Sequence, residues 1–320
     1  MTGEPPADRH ADPRADAGPR VSVIIPTYKR PAALRRAVAS AGAQTIAEIE
    51  VIVAAEADDP DSLAAIASLG DPRVRAIVNP VRGGPGPARD AGAAAARAPW
   101  IAFLDDDDEW LPHKLERQLA LAGDARDVLV TALSRVETEA GTFIRPALPY
   151  AGDRPIDEWL FDRLSWFGGG EAMLQTSSLM VPRALFDTLG FGASRHEEWE
   201  LVIRAMKQHG YRLLTVREPL VLYRAGGLYP WRASLDWAES RRALLTPRAM
   251  AGFCLTEAVK GLRPPERNRA FRAFARAAFR LGRPTLRQLF AFALIWAIPD
   301  PVRERLRSRL RRRAGATADA

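Results

Sequence analysis

Short apolar runs and amphipathic stretches alternate through the first third of the chain. Val21 to Ile25 is β-branched and wholly apolar up to Pro26, which predicts a strand buried on both faces of a parallel sheet. Pro31 then opens a helix with Leu34, Val38 and Ala41 on one face. A second buried strand is expected at Val51 to Ala54, followed by a helix at Ser62 to Leu69. A third strand at Val74 to Val78, an alanine-rich helix at Ala88 to Ala98 and a fourth strand at Trp100 to Leu104 complete the alternation. Parallel strands need crossover connections, so this pattern predicts an α/β sheet with helices on both faces. Ligands of such sheets collect beyond the carboxyl ends of the strands. Here those ends read Pro26-Thr27-Tyr28, Ala55-Glu56, Asn79 and Asp105 to Asp108, with Tyr28 placed to stack on a base.

Beyond Trp110 the pattern is less regular. Helices are expected at Leu115 to Leu121 and Glu197 to His209, and strands at Val128 to Leu133 and Ser177 to Val181. Two closing strands are expected at Tyr211 to Val216 and Leu220 to Tyr223.

Composition narrows the class. Hydrophobic residues at 47% and charged residues at 27% give a globular chain with a real core. A single cysteine, Cys254, excludes an internal disulfide or a multi-cysteine metal site and suits a reducing compartment. The four histidines are scattered without an H-x-x-x-H pair for zinc. Residues 1–20 lack the apolar stretch of a secretory signal and read as a disordered leader. No stretch reaches the roughly 18 to 20 apolar residues that span a bilayer.

Charge is unevenly placed. From Lys260 to the C-terminus 16 basic residues face 4 acidic ones, a surplus of 12, so with a net charge of +7 the rest of the chain sums to −5. A nucleic-acid reader needs a basic folded domain, and this body is acidic, so no nucleic-acid partner is expected. The basic tail calls for an anionic partner of its own.

Three segments carry candidate chemistry. Asp105-Asp106-Asp107-Asp108 at the end of a buried strand brings together carboxylates that repel one another and call for positive charge. A divalent cation carrying a diphosphate would supply it, and a solvated acidic turn capping the next helix is the plainer alternative. Gly83-Gly84-Pro85-Gly86-Pro87-Ala88-Arg89-Asp90 is a Gly/Pro loop entering a helix, where backbone amides favour phosphate and Arg89 adds a guanidinium, unless it is a simple connection. His196-Glu197-Glu198-Trp199-Glu200 opens an amphipathic helix. Its carboxylates either complement the helix dipole or include a general base whose pKa the adjacent tryptophan raises.

In order and spacing these pieces, with Val21-Ser-Val-Ile-Ile-Pro-Thr-Tyr-Lys-Arg30 and Glu50-Val-Ile-Val53, resemble family 2 glycosyltransferases of the GT-A fold over Val21 to about Arg224. The resemblance implies inverting transfer of a sugar from a nucleotide diphosphate donor with Mg2+ or Mn2+. It implies that Pro26 and Tyr28 border the base, Glu56 contacts base or ribose, and Arg89 lies near the nucleotide. Asp106 would face ribose and diphosphate, Asp107 would be the principal metal ligand and Glu198 the catalytic base. Three positions depart from the family pattern: Ala55-Glu56 for Asp-Asp, Asp90 for Asn, and Glu197-Glu198 for Glu-Asp, which lengthens the base by one methylene. Rival readings are a sugar nucleotidyltransferase, which would carry a Gly-rich, Lys/Arg-bearing loop after the first strand, and a scaffold that binds nucleotide sugar without turnover. Gly168 to Ser178 and Gly226 to Trp231 are the expected specificity loops; Trp166, Trp231 and Trp237 could stack on sugar rings, with core packing the expected role of at least two.

The tail has its own pattern. Arg269, Arg272, Arg276, Arg280, Arg283 and Arg287 step by three or four residues, with Phe271, Phe274, Ala278 and Phe279 on the neighbouring face and Pro284 as a break. Leu289 to Ile298 is apolar throughout, and Arg303 to Arg313 holds seven arginines. An interfacial helix with a polybasic flank would place the chain peripherally on anionic lipid at the cytoplasmic membrane face, with a sugar or lipid-linked acceptor. A helical subdomain packed on the catalytic domain or a second subunit is the alternative. The expected organisation is a leader at 1–20, a GT-A domain at 21–225 and a helical basic region at 226–320.

Overall fold

The computed structural model describes residues 18–79, 82–138, 141–162, 172–192, 195–224, 231–257 and 266–298, without the side chains of residues 267 and 268. Of the segments singled out above, residues 1–17, Trp166, 168–171, 226–230 and 303–313 lie outside these.

The first half follows the expected alternation: β1 (Val21–Thr27), α1 (Pro31–Gly42), β2 (Ile49–Glu56), α2 (Pro60–Ala67), β3 (Val74–Asn79), α3 (Pro85–Ala94) and β4 (Trp100–Phe103). β1 lies between β2 and β4, with β3 outside β2, and all four run parallel. β1 does not stop at Pro26 but pairs on to Thr27 opposite Ala55. Proline loses only its own N–H, and its fixed φ is compatible with an extended chain.

The second half comprises β5 (Glu109–Trp110), α4 (Lys114–Ala122), β6 (Val128–Thr138), β7 (Gly141–Arg145), α5 (Ile156–Phe161), a 3-10 turn (Thr176–Ser178), β8 (Met180–Pro182), α6 (Arg183–Leu189), α7 (Glu197–His209) and β9 (Arg212–Arg224). The helices α8 (Trp231–Ser240), α9 (Pro247–Gly252), α10 (Arg267–Leu281) and α11 (Leu286–Ala297) close the chain, and α9 runs into a π-helical turn at Phe253–Glu257. One sheet has the order β3-β2-β1-β4-β8-β6-β9-β5, with β7 paired to β6. β8 returns antiparallel against β4, whereas β6 and β9 run parallel to each other.

Two expectations change here. Ser177 and Ser178 form the 3-10 turn rather than opening β8. The two closing strands are one strand, β9, whose register jumps from Ala132↔Val216 to Leu133↔Pro219. Arg217 and Glu218 therefore bulge out beside Pro219, which has no N–H for the ladder.

Side chains alternate across the sheet and build two cores. Val21, Val23 and Ile25 face the layer of α1 and α4, while Ile24, Ile101 and Phe103 face the layer of α3, α5 and α7. The C-terminal helices join that second core through Ala270, Phe274, Ala277, Ala278 and Phe292. Phe279, expected on the apolar face, is 64% exposed, because the buried stripe of α10 runs through 270, 274 and 277 and leaves 279 rotated off it. Among the described residues no helix is long and apolar enough to cross a membrane.

Candidate active site

The four aspartates after β4 have four different environments. Asp108 is buried and accepts hydrogen bonds from Ser177 Oγ at 2.6 Å, the Arg224 backbone N–H at 3.1 Å and Gln175 Nε2. Burial first, then the charge of Asp105, pushes its pKa up to about 8. Asp106 is also buried; Thr27 donates to it at 2.8 Å, and burial raises its pKa. Asp107 points outward with 46% of its side chain exposed. Arg30 Nη1 lies between these two, 3.2 Å from Asp106 Oδ1 and 2.8 Å from Asp107 Oδ2. Asp105 receives Arg89, and its backbone N–H donates to Ser177 Oγ at 2.9 Å. The run is thus both a structural turn, through Asp108, and an open pair of carboxylates, through Asp106 and Asp107.

Arg89 reaches Asp105 from α3 and, on its other side, Glu197 at 2.8 Å. Burial opposes its charge, but Asp105 and Glu197 outweigh that and hold its pKa above the ordinary value. It is therefore committed within the protein, where it is buried. Close contact fixes α3 here. A Cβ on Gly86 would lie 2.2 Å from the Gly192 carbonyl oxygen, and Asp90 accepts the backbone N–H groups of Phe191 and Gly192 at 2.7 Å each.

Those contacts lock the segment that enters α7. Glu197 and Glu198 open that helix, and Glu197 is the one that pairs with Arg89. Glu198 is part-buried, and its pKa is pushed up to about 8, first by burial and then by the charges of Glu197 and Asp105, with Arg89 acting in the opposite direction. Trp199 is half-buried in the same first turn. Its ring lies on His196 and edge-on to Phe161, and its Nε1 donates to the Leu174 carbonyl at 3.1 Å.

At the other strand ends Pro26 is buried in β1 and Glu56 in β2, and Glu56 Oε2 has no hydrogen-bond partner among the described residues. Tyr28 donates its hydroxyl to Asp58 at 2.9 Å, and the Arg82 guanidinium covers its ring at 4.1 Å. Asp59 accepts the Lys29 backbone N–H at 2.5 Å and caps α2 through Ser62 N at 3.2 Å. The β1–α1 loop is therefore held by Asp58 and Asp59, which sequence reading passed over although Asp59-Pro60 is a helix-start signature. Although Gln175 and Ser177 lie in an expected specificity loop, the contacts of Arg30, Ser177, Gln175 and Arg224 with the aspartates were also missed. Only the return of β8 and β9 to the sheet brings the last three to the aspartates.

No group of three or more His, Cys, Asp or Glu converges as a complete metal shell among the described residues. A single Arg30 nitrogen nevertheless bridges Asp106 and Asp107, so this pair accepts one positive centre between its oxygens. Hard carboxylate oxygens in that arrangement fit Mg2+ or Mn2+, with the remaining ligands drawn from elsewhere.

The fold has counterparts among known proteins. Staphylococcus aureus TarS residues 1–349, solved in complex with UDP-GlcNAc, superposes with a TM-score of 0.58 at 15% identity, covering 92% of each chain, and shares the GT-A fold. The amylovoran biosynthesis glycosyltransferase AmsB of Erwinia amylovora is 25% identical over 246 residues, 71% of this chain and 79% of AmsB. The succinoglycan biosynthesis protein ExoO of Rhizobium meliloti is 39% identical over 113 residues, 35% of this chain, and the match spans only 32% of ExoO. The sequence profile of glycosyl transferase family 2 matches residues 22–189, more than half of the 320 residues, and the chain belongs to that family.

Proposed function

We propose that this chain moves a sugar from a nucleotide diphosphate donor to an acceptor hydroxyl with inversion, Glu198 acting as the base. The observation that carries this reading is the Asp105–Arg89–Glu197 bridge, which ties the aspartate loop to the first turn of α7. A donor bound over the strand ends would have its diphosphate at the aspartates and its anomeric carbon toward α7. A bound Mg2+ or Mn2+, held by Asp107 and Asp106, would offset the charge of the departing diphosphate.

The chain's own residues account for the rest. Pro26, Tyr28 and Glu56 line the nucleotide end. Glu198 takes the acceptor proton as the acceptor oxygen bonds to the anomeric carbon and the bond from that carbon to the diphosphate oxygen breaks. A carboxylate with a pKa near 8 is basic enough for this and still partly ionised near neutral pH. Arg89 compensates Glu197, so that Glu198 does not face two uncompensated neighbouring charges.

We further propose a lipid-linked acceptor in cell-surface polysaccharide assembly, reached from the cytoplasmic membrane face. α10, α11 and the link between them expose Phe271, Phe279 and Leu286 together with Arg269, Arg272, Arg276, Arg283 and Arg287, an apolar and cationic combination suited to anionic lipid. AmsB and ExoO are both named for polysaccharide biosynthesis.

Donor hydrolysis tests the central proposal. With Mn2+ the wild type should slowly release nucleoside diphosphate from its donor, and Glu198→Gln should not. Tight nucleotide binding without turnover of any donor would overturn it in favour of a binding scaffold.

A further inference from the structure

Among the described residues only Lys29 and His196 combine a side chain with a left-handed backbone, and His196 immediately precedes Glu197 and Glu198. At φ 61° and ψ 38° it is the N-cap of α7. A non-glycine residue keeps this strained conformation only where its surroundings over-determine it, and such residues gather at functional sites.

The surroundings come from the C-terminal helices and from α7 itself. The imidazole stacks on Trp199 at 4.6 Å with an interplanar angle of 4°. Trp237 of α8 and Phe253 of the π-helical turn meet it edge-on at 5.3 and 5.4 Å. Ser234 Oγ of α8 lies 3.1 Å from its Nε2. Burial pushes its pKa down to about 3, so the ring is a neutral plate at any working pH. On the far side of the two glutamates, buried Glu200 accepts from Trp237 Nε1 at 3.2 Å and forms an ion pair with Arg241 at 2.8 Å. α8 thus grips α7 just before and just after Glu197-Glu198. The π-helical turn that supplies Phe253 is a rare element, found frequently at functional sites.

We propose that His196 is a positioning residue, and that α8 with the π-helical turn forms the mount that aims the Glu198 carboxylate. This rests on the transfer reaction assigned above. It extends that assignment by placing part of the apparatus in α8 and the π-helical turn, beyond the residues that match the family profile. A helix start held only by its own sheet contacts would need neither the strained residue nor the cage.

The decisive variant is His196→Gly, which accepts the left-handed backbone freely and empties the cage. Its expected signature is a kcat for donor hydrolysis lower by roughly 10- to 100-fold, since displacement of a catalytic group by about 1 Å costs on this order. Nucleotide affinity should stay within about twofold, because no contact with the strand ends is touched. His196→Phe restores a flat ring and should recover most of the loss. As a readout independent of turnover, the 13Cδ signal of Glu198, assigned by its absence in Glu198→Gln, should have its inflection shifted in His196→Gly. If His196→Gly does not fold, Trp237→Phe, which keeps an aromatic ring but loses the indole N–H to Glu200 and part of the edge contact with His196, carries the same expectation with a smaller loss. Wild-type kcat together with an unmoved inflection overturns the proposal, as does an equal loss of kcat and nucleotide affinity. A wild type that turns over no donor overturns the assigned reaction instead, and the Glu198 inflection then decides the mount alone.

Discussion

Arg89 and Glu197, 108 positions apart in sequence, meet at 2.8 Å, and the same guanidinium also holds Asp105. Removing a buried partner leaves charge without compensation, which typically costs about 3 to 5 kcal/mol. Arg89→Met should therefore lower stability to urea by about that amount and strongly reduce turnover. Arg89→Lys should recover little, because one ammonium replaces a fork that serves two carboxylates.

The raised pKa of Glu198 has two consequences of opposite appearance. Turnover should climb as pH rises toward about 8 and then level, as the carboxyl gives up its proton. Stability should move the other way. Between the ordinary value of 4.5 and about 8 the folded chain holds a proton that the unfolded chain has lost, so folding weakens as pH rises through that window. Urea midpoints measured from pH 5 to pH 8 should decline less steeply in Glu198→Gln than in the wild type.

Asp107 is half exposed, and Arg30 is its only side-chain partner among the described residues, so Asp107→Ala should leave stability within about 0.5 kcal/mol of wild type. Its expected effect is on ligand binding. Calorimetry should show nucleotide diphosphate binding that no longer strengthens on adding Mn2+. Unchanged metal dependence would remove the aspartate loop from the proposed chemistry.

Gly86 tests the junction between α3 and the segment entering α7. A Cβ there would approach the Gly192 carbonyl oxygen to 2.2 Å, and backbone cannot give way as a side chain can. Gly86→Ala should cost about 1 to 3 kcal/mol and lower turnover more than nucleotide affinity, because the shift propagates toward Glu198.

Lipid association is separable from folding only beyond α11. A chain cut before Lys260 would lose Ala270, Phe274 and Phe292 from the core, so the informative truncation ends at Ile298. The full chain should float with anionic liposomes more than this truncation does, and the difference should shrink as salt is raised. Equal flotation of both at low salt would count against the polybasic end.

The parallel half of the fold was legible because buried parallel strands are written as unbroken apolar runs, as Val21 to Ile25 and Val51 to Ala54 show. α7 was legible to its ends, since Glu197 to His209 carries a strong amphipathic period between acidic and glycine boundaries. β5 and β7 were not, being two and five residues long and set by pairing with distant strands. Within the site the carboxylates stood out by type and spacing. Their partners did not: Ser177, Gln175 and Arg224 reach Asp108 across 67 to 116 positions, and His196 shows its role only through its backbone angle and the rings around it.

The aromatic cluster of Phe161, Trp199, Trp237 and Phe253, with centroid separations of 4.9 to 6.3 Å, straddles residue 225, the expected domain boundary. Recombining this chain with a relative at that point would expose a torn apolar surface on both fragments. Hybrids meant to exchange acceptor preference should instead inherit α5, α7, α8 and the π-helical turn from one parent, since these elements meet at that cluster.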